Sequence, residues 1–218
     1  MAHLQTQDAT PAVRARSSRR VQPRGQETRQ RLLVAARELF GRKGYEGTSI
    51  GDVAEQAGIG VGTVYHHFED KRSLLLELLE RYEGGRLATS TKAGRGFSDA
   101  FRIKGDRSGF VGMLRVFVAQ RRIHPSLYGI ARELARRDPQ IAACTSRIEQ
   151  AHRDRIRMGI GAGQQEGVFR KDIDPYAAAF VLQPLMQSGV TQIAEAEADS
   201  EPQIQALADL VCSYLLAD

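Results

Sequence analysis

The sequence predicts an all-α fold, with a three-helix N-terminal helix-turn-helix domain joined to a larger C-terminal helical domain. Three observations predict it. Apolar residues recur at helical spacing from Leu32 nearly to the end of the chain, no segment alternates as a strand does, and Asp138-Pro139 and Asp174-Pro175 each pair an N-cap with a first-turn proline.

The first 25 residues have few apolar side chains and no period, and read as a disordered arm. They carry Arg14, Arg16, Arg19, Arg20 and Arg24 against the single acid Asp8. Such an arm either adds phosphate or minor-groove contacts or is a solvated tail; a transit peptide is a third, weaker reading. From residue 26 onward 26 basic face 25 acidic side chains, so the body is near neutral. That balance argues against a protein that coats DNA by charge alone, because such binding scales with phosphates neutralised.

From about Glu27, Leu32, Leu33, Ala36, Leu39 and Phe40 define a first helix, with Gly41 and Gly44 marking its stop. Ser49 with Asp52 three residues on forms a capping-box pattern for a second helix, whose stripe is Ile50, Val53, Ala54 and Ala57. Gly58 ends it. Ile59, Val64 and Phe68 supply the inward side of a third short helix. Asp70 caps a fourth, built on Leu74, Leu75, Leu78, Leu79 and Tyr82 and weakened or kinked at Gly84-Gly85. Residues 93–109, rich in glycine and charge, read as a loop or poorly ordered link. Phe110, Met113, Leu114, Phe117 and Val118 define the next helix, and Pro125 to Arg137 another. A long helix follows Asp138 towards Gly167; Asp174 opens one that Pro184 should bend, and a last helix follows Pro202. The domains expected are 1–25, 26–72 and 73–218.

Residues 48–68, TSIGDVAEQAGIGVGTVYHHF, carry the functional signal. A DNA-reading helix-turn-helix needs a short first helix, a tight turn, and a second helix whose outer face is free for the major groove. Ala54 is small where the helices approach, Gly58 sits at the turn, and Val53, Ala57, Ile59 and Val64 fill the wedge. Thr63, Tyr65 and His66 are left outward as hydrogen-bonding groups, Gly62 permits close approach to phosphates, and Lys71 stands ready for a phosphate. The competing reading is a generic helical hairpin.

From about Thr28 to Leu79 the chain resembles the TetR family of bacterial regulators, through RQRLLVAARELFGRKGYEGTSI and DVAEQAGIGVGTVYHHFEDKRSLL. The resemblance implies DNA contacts, chiefly to phosphates, by Thr48, Thr63, Tyr65, His66 and Lys71; Ser49 and Gly62 complete the expected DNA-binding set. The sequence departs at Gly60-Val61, where a serine followed by a basic or polar residue is usual. The resemblance further implies a helical C-terminal domain that holds a ligand pocket and makes a homodimer through the last two helices, about 174–194 and 201–216. The segment from Gly167-Val168-Phe169-Arg170 to Asp174-Pro175 has a weaker similarity to the family's lead into the first of these.

Other features carry less. The glycines at 58, 60 and 62 and at 159, 161 and 163 follow no strand, which a dinucleotide-binding loop requires. His66 and His67 are adjacent and point apart, so no metal pair is expected; His67 instead covers the first helix. Cys144 and Cys212 lack metal or disulfide spacing and read as small buried side chains. For the effector pocket Phe110, Leu114, Phe117, Tyr128, Met158 and Phe180 are candidate lining, with Arg121, Arg122 or Gln183 orienting a polar group; core packing is the plainer reading for each apolar one. The arginines between Arg115 and Arg157 suit an anionic effector or solvated helix faces equally.

The expectation is a DNA-binding transcription regulator, a repressor by resemblance, released from a palindromic double-stranded DNA operator by a small-molecule effector. No cofactor or metal is expected. No apolar run reaches the roughly 20 residues that span a bilayer and no secretory signal is evident, so the expected location is cytoplasmic, without membrane partners. The rivals are a ligand-independent architectural DNA binder and an enzyme or carrier retaining a helical N-terminal domain; no nucleophile, base and orienting group stand at a recognisable spacing.

Overall fold

The computed structural model describes residues 23–84, 107–123, 127–196 and 199–216. The arginine arm falls mostly outside them, as does most of the expected link. Helix α1 spans Pro23–Lys43, starting before Glu27 because a proline in the first turn lacks only an N–H that has no partner there. Gly41 stays inside this helix. Gly44, at φ 75°, alone turns the chain out of it.

Helix α2 is Ile50–Ala57 and α3 is Val61–His67. Helix α4, Lys71–Leu78, passes directly into a π-helical turn over Leu79–Gly84, so the helix changes winding before the Gly84-Gly85 pair. Helix α5 is Arg107–Ile123, and its start at Arg107 shortens the expected link. Helix α6 covers only Tyr128–Leu134, because residues 135–137 form a turn before the Asp138 cap. Helices α7, Pro139–Gln165, and α8, Pro175–Glu195, are each opened by an aspartate cap and a first-turn proline. Helix α8 runs through Pro184, and α9, Glu201–Leu215, closes the described chain. Among the described residues the only extended pairing is an isolated bridge between Phe169 and Leu216.

Among the described residues the helices pack round two apolar clusters. One holds α1 to α4 together and takes in Leu127 and Ala131 with Ile141, Cys144 and Ile148 of the first half of α7. The boundary expected at residue 72 therefore does not divide the packing: Leu74, Leu75 and Leu78 of α4 lie in the same cluster as the helix-turn-helix. The other joins α5, the second half of α7, α8 and α9. Between α7 and α8, Gly167 at φ 75° turns the chain, and Phe169 packs where a Cβ on Gly163 would stand. The Arg170 N–H donates to Leu215 O at 3.0 Å, clasping this turn to the end of α9.

Candidate nucleic-acid interface

Helix α2 is fixed at both ends by its own sequence. Ser49 Oγ accepts from the Asp52 N–H at 3.0 Å while the Ser49 N–H donates to Asp52 Oδ2 at 2.8 Å. Lys43 Nζ donates to Asp52 Oδ1 at 2.8 Å. These bonds from Lys43 and from the Ser49 hydroxyl and amide hold the Asp52 carboxyl well below the usual carboxylate range. At the other end Gly58 adopts φ 62°, and the Ile59 N–H reaches Ala54 O at 2.9 Å. A side chain at 58 would strain that left-handed conformation.

Helix α3 buries Val64 and caps itself with the buried Phe68. Its other side is open: Gly62, Thr63 and His66 are exposed, and Tyr65 is 56% exposed. A Cβ on Gly62 would meet nothing. Gly60 is the N-cap and supplies no side-chain bond, the local consequence of glycine where serine is usual in the resembled family.

Three cations fix the elements around α3. The Arg29 guanidinium pairs with Glu77 of α4, donates to His67 O at 2.8 Å, and lies 4.3 Å from the Phe68 ring centroid. Arg31 Nη2 donates to Ala57 O at 2.5 Å, closing the end of α2. Lys71 Nζ donates to Tyr45 O at 2.7 Å and sits 4.3 Å from the Tyr45 ring centroid. Burial, followed by the charges of Asp70, Glu46 and Asp138, pushes the Tyr45 phenol up to about 12.

Several expectations change in this light. Thr48 is 2% exposed and its hydroxyl donates to Gly44 O at 2.8 Å, so it shapes the α1–α2 turn instead of facing outward. The Ser49 hydroxyl is committed to Asp52. Lys71 is tied to the same turn, with donors remaining on its ammonium. His67 packs against α1, its ring near Gly25. Burial, then the His66 and Arg29 charges, lowers its pKa. The His66 and His67 rings meet edge-on at 5.4 Å, and no group of three metal-ligating side chains gathers among the described residues.

The expected effector-pocket residues separate into three kinds. Phe110 and Leu114 are fully buried in the second cluster, and Phe117 packs against it, so core packing accounts for them. Met158 and Phe180 are corrections: at 49% and 62% exposure they face outward, because each lies off the buried stripe of its helix. Tyr128 and Gln183 remain inside, and Arg121 is half-buried. The Tyr128 hydroxyl donates to Glu149, Gln183 Nε2 donates to Gln187 Oε1 at 2.7 Å, and Nε and Nη1 of Arg121 are shut off from solvent. Arg122 is exposed and reaches Ala194 O at 3.3 Å.

Residues 32–78 match the profile of bacterial regulatory proteins, tetR family. The chain is 41% identical over 66 residues to the HTH-type transcriptional regulator AcrR of Shigella flexneri, an alignment covering 30% of this chain and 31% of AcrR. It thus spans about a third of the length of the curated relatives it matches. In structure it is similar to reduced NemR of E. coli, at 14% identity and TM-score 0.69, covering 88% of this chain and 98% of that one. It is also similar to a transcriptional regulator from Saccharomonospora viridis described in complex with choline, at 24% identity and TM-score 0.66, covering 88% and 100%.

Proposed function

We propose that this chain, which belongs to the TetR family of bacterial regulatory proteins through its N-terminal domain, is a transcriptional repressor that binds a palindromic operator as a homodimer and leaves it when a small molecule occupies the C-terminal domain. The relatives named above are transcriptional regulators, which are not enzymes. One observation carries the DNA-binding reading. Helix α3 is clamped from beneath by Arg29, Phe68 and Val64, yet its open side offers Thr63, Tyr65 and His66, hydrogen-bonding groups with no partner role in the fold's interior. A rigid helix with polar groups outward is what base edges and phosphates require. In this reading Thr63 and His66 meet bases, Tyr65 and Lys71 meet phosphates, and Ser49 and Gly62 border the groove.

Helices α8 and α9 support the homodimer. Helix α8 has no charged side chain before Glu195, and Tyr176, Phe180 and Val181 on it are 66%, 62% and 58% exposed. Leu210 and Tyr214 extend the apolar surface onto α9. Exposed large apolar side chains of this kind on the last two helices suit a surface covered by a partner, and a two-fold pairing covers it with its own copy. Two reading heads then enter successive major grooves about 34 Å apart.

Release needs a link between the domains. Arg72 of α4 donates to Asp138 at 3.3 Å, the residue that caps α7, and Arg147 of α7 donates to Glu80 at 2.8 Å. A ligand favouring one arrangement of α7 by about 1 to 3 kcal/mol would reposition α4 and the heads with it. The cytoplasm is the proposed location; no helix among the described residues is long and apolar enough to cross a membrane.

Selection of duplexes from a random pool by the purified chain in moderate salt tests this. Enrichment of a palindrome with half-sites one helical turn apart is expected. Sequence-indifferent binding that collapses with ionic strength would overturn it in favour of an architectural binder.

A further inference from the structure

The helices of the C-terminal half change character where the two apolar clusters meet. On α7 the buried stripe Ile141, Thr145, Ile148 gives way to His152 and Arg155 before Gly159 and Gly163 resume it. On α5 the buried positions Leu114 and Val118 lead to Arg121. On α8, Gln183 is 6% exposed in a row of alanine, leucine and methionine. The buried stripes of α7, α5 and α8 thus each meet polar side chains, which together make up the polar layer considered below.

Several of its charges are paired. Glu149, the carboxylate that takes the Tyr128 hydroxyl, lies 3.8 Å from Arg153 Nη1. Asp154 is taken up by Gln150 at 3.2 Å and by Arg157 at 3.5 Å. Arg155 is left: its Nη1 is buried and has no hydrogen-bond partner among the described residues. Burial lowers its pKa, yet a guanidinium remains charged in proteins. Arg155 itself is half-buried, so what lacks an acceptor is this one shielded nitrogen, and an anion that reaches it would supply one.

We infer that this polar layer is the effector site and that the effector is a small amphiphilic anion, its carboxylate or phosphate received by Arg155 and its apolar body by the flanking stripes. The inference rests on the effector reading proposed above and adds the ligand's charge class. The Tyr128–Glu149–Arg153 chain closes on itself and leaves Arg155 as the anion's anchor.

The test uses the full chain at constant ionic strength, with benzoate and phenyl phosphate as anionic probes, benzyl alcohol as the neutral one and choline as the cationic one. At least one anion raises the melting temperature saturably, while benzyl alcohol and choline leave it unchanged. Arg155→Met abolishes that rise and melts, without ligand, at or above the wild type, because an apolar chain replaces an unpaired charge. Arg155→Lys, which keeps the charge without the planar fork, responds only at higher anion concentration. No shift with either anion, an equal shift with benzyl alcohol, or a wild-type response in Arg155→Met overturns the inference. A ligand-free Arg155→Met that melts below the wild type does so as well, since it makes Arg155 a structural residue. Duplex selection with Arg155→Met runs in parallel. A wild type that selects a duplex but responds to neither anion sinks the charge class alone, whereas a wild type that selects no duplex sinks the regulator.

Discussion

Arg29 joins three elements with one guanidinium: Glu77 on α4, the His67 carbonyl at the end of α3, and the Phe68 ring. Arg29→Met should lower stability by about 1.5 to 3 kcal/mol in urea denaturation, the range for bonds to a charged group. Nothing in the local sequence announces this role. Its partners are 38 and 48 residues away, so helical periodicity reads the residue as one more solvated charge. Thr48 misleads in the opposite sense, since a hydroxyl before a helix looks available for DNA while its environment buries it. His67 gives a pH prediction. Its folded pKa lies below 6.5, the ordinary histidine value, so the unfolded chain binds the proton more readily. Stability contributed by the neutral ring is present above that value and is lost as pH falls through 6.5 towards the folded pKa. His67→Gln should flatten this part of the stability profile measured by thermal melts; an unchanged slope would place the titration elsewhere.

Elements were legible where a few adjacent residues decide them. Ser49 with Asp52, Asp70, Asp138-Pro139 and Asp174-Pro175 announce helix starts because capping is a bond between near neighbours, and the structure has a cap at each. Ends were less legible, for a reason visible at Gly41 and Gly44. Only the second has the positive φ that needs glycine, and backbone sign is not written in composition. The π-helical turn at Leu79–Gly84 was likewise invisible, since its residues keep a helical pattern while the winding changes. Gly163 belongs to a glycine run whose purpose the local sequence does not announce, and the structure makes it a contact point: Phe169 occupies the space of its missing Cβ. Gly163→Ala should therefore destabilise the chain by about 1 to 3 kcal/mol, as overpacked sites do, in thermal or urea melts. A neutral result would show the Phe169 turn free to yield.

Across the whole molecule the sequence separates an N-terminal reader from a C-terminal body, but the packing does not part there. The first cluster continues from α1 through α4 into α7, a continuity that segment-by-segment periodicity has no means to reveal. It also gives the polar layer a direct mechanical relation to α4 through the Arg72–Asp138 and Arg147–Glu80 ties. The outward apolar face of α8 belongs to this scale too. Phe180 was legible as an apolar residue at helical spacing, and only its 62% exposure moves it from pocket to surface. Phe180→Glu should convert a dimer to monomer in sedimentation at micromolar concentration and weaken DNA binding in step; a dimer that survives it would move the interface elsewhere.

The proposal that the open side of α3 reads DNA is tested most directly by titrating the selected operator and single-base variants of it with wild type, Thr63→Ala, His66→Ala and Lys71→Ala. Lys71→Ala should weaken binding to every duplex about equally, while Thr63→Ala and His66→Ala should change the order of preference among the variants, with about 1 to 3 kcal/mol of discrimination lost at a contacted base pair. Identical affinities and an identical order in all four proteins would contradict it.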